Sequence, residues 1–186
     1  MGREFELKFQ GTPQVLETIQ REMGPFSPFT METTYLDTPS GSLSQRRWML
    51  RRRLENGQMV YCLKVPLADG SRGEWESHSL EQLCCQPVPE DFPQLLRQGI
   101  QPVCGTRFTR LAKTLSLPQA TVELALDQGQ FLAGQRQQPF WEVEVELKSG
   151  QQQAAEAFAQ ALAQRFGLSP QEKSKAQRAR ELGADR

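Results

Sequence analysis

The chain has 186 residues, in which 22 Lys+Arg balance 22 Asp+Glu, with a single histidine, His78. That length suits one domain, residues 1–186, with enough chain to bury a core. Zero net charge argues against a nucleic-acid partner, which calls for a basic excess, and one histidine argues against a histidine cluster or a Ser-His-Asp mechanism.

In chain order, Glu4 to Phe9 alternates charged and apolar residues, which predicts a strand. Thr12-Pro13 opens a helix that runs to about Met23, with Thr12 as N-cap and Pro13 at the first helical position. Met31 to Leu36 reads as a strand, and Asp37 to Gly41 as a turn. Trp48 to Leu54 and Met59 to Val65 form a hairpin about Asn56-Gly57. Gly73 to Ser77 is a further strand, and Ser79 to Cys85 and Pro89 to Gln98 are short helices. Val103 to Leu115 is a strand. Thr121 to Asp127 and Gln130 to Ala133 read as a second hairpin about Gln128-Gly129, with Gln135 to Gln138 a loop. Phe140 to Lys148 is a strand, Gln152 to Phe166 an Ala-rich helix, and Pro170 to Leu182 a last polar helix. Strands at hairpin spacing between helices predict an α+β protein built on an antiparallel sheet or barrel. The C-terminal helices, about 152–182, belong to the same unit.

Cys62, Cys84, Cys85 and Cys104 lack the spacing of a zinc site and read as reduced thiols. The chain opens on charged, patterned sequence without an apolar leader, and no stretch is long enough to span a bilayer. A cytoplasmic protein without a membrane partner is the expectation.

The strands carry the chemistry. Side chains alternate faces along a strand. Glu142, Glu144 and Glu146 therefore share one face, against Trp141, Val143, Val145 and Leu147 on the other. Their spacing of about 6.5–7 Å makes them repel unless cations sit between them. Glu4, Glu6 and Lys8 are likewise in phase, as are Arg51 with Arg53, Cys62 with Lys64, Arg72 with Glu74 and Glu76, Phe108 with Arg110, and Glu123 with Asp127. Some strands are all acidic and others all basic, whereas a solvated face mixes signs. Carboxylates take hard divalent cations; Arg and Lys take phosphate oxygens. Closing the sheet would turn these faces into a charged lumen, with the apolar faces outward under helices.

The ordered set Glu4-Phe5-Glu6-Leu7-Lys8, Tyr35-Leu36-Asp37-Thr38, Leu50-Arg51-Arg52-Arg53, Leu63-Lys64, Arg72-Gly73-Glu74-Trp75-Glu76, Phe108-Thr109-Arg110, Glu123 to Gly129 and Glu142 to Glu146 resembles the CYTH superfamily, the triphosphate tunnel metalloenzymes, over about residues 3–180. The resemblance implies an eight-stranded antiparallel tunnel with helices outside. It also implies a triphosphate substrate handled with Mg²⁺ or Mn²⁺. The stretch Glu123 to Gly129 and Ser174-Lys175 with Arg178 look most like bacterial inorganic triphosphatases. A departure is Phe108, where relatives often carry further basic residues near Arg110.

Phase and resemblance together assign Glu4, Glu6, Glu142, Glu144 and Glu146 to one or two divalent cations. Lys8, Arg51, Arg53, Lys64 and Arg110 are assigned to phosphate oxygens, with Arg72, Lys175 and Arg178 as further candidates. Glu74, Glu76, Glu123 and Asp127 are supporting carboxylates, and Glu144 or Glu146 accepts a proton from water. The expected reaction is hydrolysis of inorganic triphosphate by a monomer or homodimer. Adenylate cyclase, thiamine or nucleoside triphosphatase, and a polyphosphate-binding module without turnover are the competing readings.

Overall fold

The computed structural model describes residues 2–3, 5–68 and 72–184; Glu4 lies outside them. Ten strand segments form one antiparallel sheet: β1 (Gly2–Arg3), β2 (Glu6–Gln10), β3 (Ser27–Asp37), β4 (Met49–Glu55), β5 (Gln58–Pro66), β6 (Arg72–Ser77), β7 (Gln101–Ser116), β8 (Ala120–Ala133), β9 (Arg136–Gly150) and β10 (Ser169–Pro170). Their order is β1-β6-β5-β4-β3-β7-β8-β9-β2-β10. The two ends of that order belong to one stretch of chain. Gly2 pairs with Glu74 of β6, and a few residues later Glu6 to Gln10 pair with β9. The N-terminal segment thus bridges both edges and closes the sheet into a barrel of eight strands, β1 with β2 counting as one.

The helices are α1 (Pro13–Met23), α2 (Ser42–Gln45), α3 (Leu80–Cys84), α4 (Phe92–Leu96), α5 (Gln152–Phe166) and α6 (Lys175–Ala184). Thr12 caps α1, its hydroxyl accepting from Val15 N at 3.3 Å, with Pro13 in the first turn. The apolar core lies outside the barrel. Leu16 and Ile19 of α1 and Ala155, Ala159 and Leu162 of α5 pack on outward residues such as Leu124, Val143 and Val145. Leu83 and Phe92 of α3 and α4 cover Leu50, Leu63 and Trp75 in the same way. Buried Asp37 starts α2 by accepting from Leu43 N at 2.9 Å and Ser44 N at 3.1 Å.

Helix α6 is the exception to helices packed outside. Ala176 and Ala179 bury against Phe108, Phe131, Phe140 and Tyr35, which share the inward face. Ala176, Ala179 and Gly183 recur at helical spacing. This small-residue stripe lets the helix sit on the lumen wall.

The expected hairpin at Gln128-Gly129 is absent. β8 runs unbroken, and the turn comes at Gly134, with Ala133 paired to Arg136. Residues 136–138 are accordingly strand, not loop. Gly129 is a packing residue: a Cβ there would stand 2.2 Å from the Arg107 carbonyl oxygen and 2.3 Å from the Phe108 Cβ, so glycine permits the close approach of β7 to β8 at Phe108. The last helix starts at Lys175, five residues later than expected. Asn56 and Gly57, both at positive φ, make the β4–β5 hairpin as the sequence predicts.

Candidate active site

The lumen is a cavity of about 820 Å³, walled by every strand of the barrel and by α6. Glu6 and Lys8 come from β2, Arg51 and Arg53 from β4, Lys64 from β5, and Arg72, Glu74 and Glu76 from β6. Arg110 comes from β7, Glu123 from β8, Glu144 and Glu146 from β9, and Lys175 from α6. Register explains the convergence, because cross-strand partners share a face: Glu6 pairs with Glu146, Lys8 with Glu144, Arg110 with Asp127, Asp127 with Glu142, and Lys64 with Glu74. Asp127 and Glu142 are fully buried behind this wall.

On the acidic side the carboxylates are already served by the protein's own cations. Asp127, Glu142 and Glu144 bring oxygen atoms within 4.8 Å of one another. The Lys175 ammonium sits among them, 2.8 Å from Asp127 and 2.5 Å from Glu144 and also bonded to Glu142. Arg110 forks onto Asp127 at 2.8 and 2.7 Å and reaches Glu144. Arg178 bonds Glu142. Three carboxylates thus face three cations. Of the cations assigned to phosphate from sequence, Arg110, Lys175 and Arg178 are therefore committed to carboxylates.

The two glutamates of this cluster titrate in opposite directions. Burial pushes Glu142 up to about 7, aided by the neighbouring Glu144 charge and opposed by Lys175. Burial would raise Glu144 too, but Lys175 and Arg110 outweigh it and hold that carboxyl well below the usual range. Glu142, raised when folded, adds stability that is full below the ordinary carboxylate range and lost as pH rises through about 7. Glu144, depressed when folded, adds stability present above that range and lost in acid. The parent should therefore lose stability between about pH 4.5 and 7 in chemical denaturation, and Glu142→Gln should flatten that decline. An unchanged slope would count against Glu142 as the proton carrier.

The basic side differs. Arg53 donates from Nε to Thr33 Oγ1 at 3.0 Å and lies 5.9 Å over the Phe108 ring. It pairs with no carboxylate among the described residues. Burial lowers its guanidinium to about 10, with the like charges of Arg51 and Arg110 adding. Arg51 reaches Glu76 and Glu74 only at 3.7 and 3.9 Å, and its buried Nε has no partner among the described residues. Lys64 is 3.3 Å from Glu74, which also accepts from the Cys62 thiol at 3.1 Å. Burial works to raise Glu74, yet Lys64, that thiol bond and Arg51 together hold it low. Lys8 stands 3.4 Å from Glu6.

The donors suit a hard divalent cation. Glu6, Glu144 and Glu146 all face the cavity, and carboxylate oxygen is the ligand that Mg²⁺ and Mn²⁺ prefer. Glu142, among the expected ligands, is fully buried and tied to Lys175 and Arg178. Arg180 was missed from sequence: it lines the cavity from α6, and the stripe Ala176, Ala179 and Gly183 was the available signal that this helix faces inward.

No helix among the described residues is long and apolar enough to cross a membrane. The sequence is 29% identical, over an alignment of 201 residues, to the inorganic triphosphatase of Haemophilus influenzae; the alignment takes in 99% of this chain and 56% of that protein. The chain thus spans about half the length of that relative. Its fold matches an adenylyl cyclase candidate from Hippeastrum, described as having a dominant triphosphatase activity, with TM-score 0.69 and 16% identity over 97% and 96% of the two chains. It also matches the PH1819 protein of Pyrococcus horikoshii, with TM-score 0.64 and 22% identity over 96% and 98%. The CYTH domain pattern itself matches residues 2–179, so that with the closed barrel and its charged lumen the chain belongs to the CYTH domain family.

Proposed function

We propose that this chain hydrolyses inorganic triphosphate to pyrophosphate and phosphate with Mg²⁺ or Mn²⁺. One observation carries the reading: Arg53 is a half-buried cation repelled by its neighbours and unpaired with any described carboxylate, in the wall of a cavity whose far strands are acidic. Such a charge is balanced when a polyanion enters. The activities named for the Haemophilus and Hippeastrum proteins agree with it.

In this reading Arg51, Arg53, Lys64 and Lys8 hold the phosphate oxygens. Arg110, Lys175 and Arg178 position the carboxylates. Glu6, Glu144 and Glu146 hold the divalent cation, which when bound neutralises phosphate charge and orients water. Water attacks the terminal phosphorus in line, the bridging P–O bond breaks, and pyrophosphate departs with the electron pair. Glu144 or Glu146 accepts the water's proton; each already meets a cation, Glu144 at Lys175 and Arg110 and Glu146 at Lys148. Little covalent work falls to the protein; positioning and charge neutralisation dominate.

The direct test is phosphate release from inorganic triphosphate, ATP and thiamine triphosphate, with Mg²⁺, with Mn²⁺ and with chelator. Chelator-sensitive release fastest from inorganic triphosphate is the expected result. Tight binding without release would make the chain a polyphosphate-binding module, and neither binding nor release would refute the reading.

A further inference from the structure

Arg180 lines the same cavity from α6. Its Nε and Nη2 are both buried, and neither meets an acceptor among the described residues. These two atoms form one edge of the guanidinium, a fork that fits two oxygens of a single anion. Arg110 shows the edge satisfied, its Nε and Nη2 bonded to the two oxygens of Asp127. A buried donor pair left empty is costly, and the neighbouring carboxylate does not fill it: Glu181 is turned to Lys173 and Gln177. Nor is this fork needed to anchor α6, which is held by Lys175 and Arg178 on the carboxylate cluster.

Arg51 lines the same cavity. Its own Nε is also buried and without a partner among the described residues, while its Nη2 lies 3.7 and 3.9 Å from Glu76 and Glu74. Two guanidinium groups with orphaned donors in the wall of one cavity fit an anion held there.

We propose that Arg180 is a substrate-holding residue whose fork takes two non-bridging oxygens of one phosphoryl group of the triphosphate. The assignment rests on the triphosphatase reading and adds to it a contact carried by the C-terminal helix. Occupancy of the lumen then ties α6 to the bound phosphate chain.

The test is calorimetric titration of sodium tripolyphosphate, with chelator and again with Mg²⁺, into the parent chain, Arg180→Gln and Arg180→Lys. Unliganded melting curves and the kcat and KM of each accompany it. Arg180→Gln should weaken tripolyphosphate binding and raise KM on the order of tenfold to a hundredfold, with the unliganded melting temperature unchanged. Arg180→Lys should recover part of the affinity, because it keeps the charge and loses the fork. Equal binding by the parent and Arg180→Gln overturns the assignment and leaves the triphosphatase reading standing. A parent chain that neither binds nor cleaves tripolyphosphate overturns that reading, and this assignment with it.

Discussion

Arg53→Gln should cut triphosphate hydrolysis roughly 100–1,000-fold while leaving the fold as stable as before or more so. The two halves of this expectation have one cause. Arg53 is partly desolvated, repelled by Arg51 and Arg110, and among the described residues meets a threonine hydroxyl and an aromatic face rather than a carboxylate. Removing it relieves repulsion and costs one neutral acceptor its partner. With a triphosphate bound, the same charge faces developing negative charge inside the barrel, where partial desolvation makes it worth more than in water. Activity assays and thermal melting of the same preparation check both halves. Lower stability together with normal kinetics would make Arg53 a structural residue and remove the observation on which the proposed function stands.

Lys175→Met should destabilise the protein by about 3–5 kcal/mol, the typical result of removing one partner from a buried ion cluster. In a chain of this size that is a fall in melting temperature of roughly 6–20 °C. Among the described residues the ammonium is the one cation that touches all three buried carboxylates, Asp127, Glu142 and Glu144. Without it their mutual repulsion is left to Arg110 and Arg178, and α6 loses its ion pairs with Asp127 of β8 and Glu144 of β9 while keeping the Arg178 bond to Glu142. Adding Glu142→Gln should recover part of the loss by removing one of the carboxylate charges that Lys175 balances, a coupling that a double-mutant cycle measures. Full additivity of the two changes would show that Lys175 and Glu142 do not depend on each other.

The barrel lining was legible because strand alternation is local. Glu6 with Lys8, Arg51 with Arg53, and Glu144 with Glu146 need only a period of two to share a face, and each pair lines the cavity. What alternation does not carry is which opposite charges meet. Arg110, Lys175 and Arg178 read from sequence as phosphate ligands, yet they close onto Asp127, Glu142 and Glu144, because that choice depends on register across β7, β8 and β9 and on where α6 lands. The misread hairpin at Gln128-Gly129 has the same origin. A glycine needed to admit Phe108 from the next strand looks, from its neighbours alone, like a turn. Arg180 escaped because a polar helix reads as solvated unless its small-residue stripe is weighed against an available wall.

The joining of both sheet edges by one short N-terminal segment has a consequence for synthesis. β2 leaves the ribosome before any other described strand except β1, but its long partner β9 is among the last, with Lys8 waiting for Glu144. Until then the growing sheet keeps two open edges and an uncovered apolar outer face, the features that invite intermolecular strand pairing. Contacts so distant in sequence also slow folding. For this chain, yield in a heterologous host should depend more on holding the nascent β2 apart from other chains than on the equilibrium stability of the finished barrel.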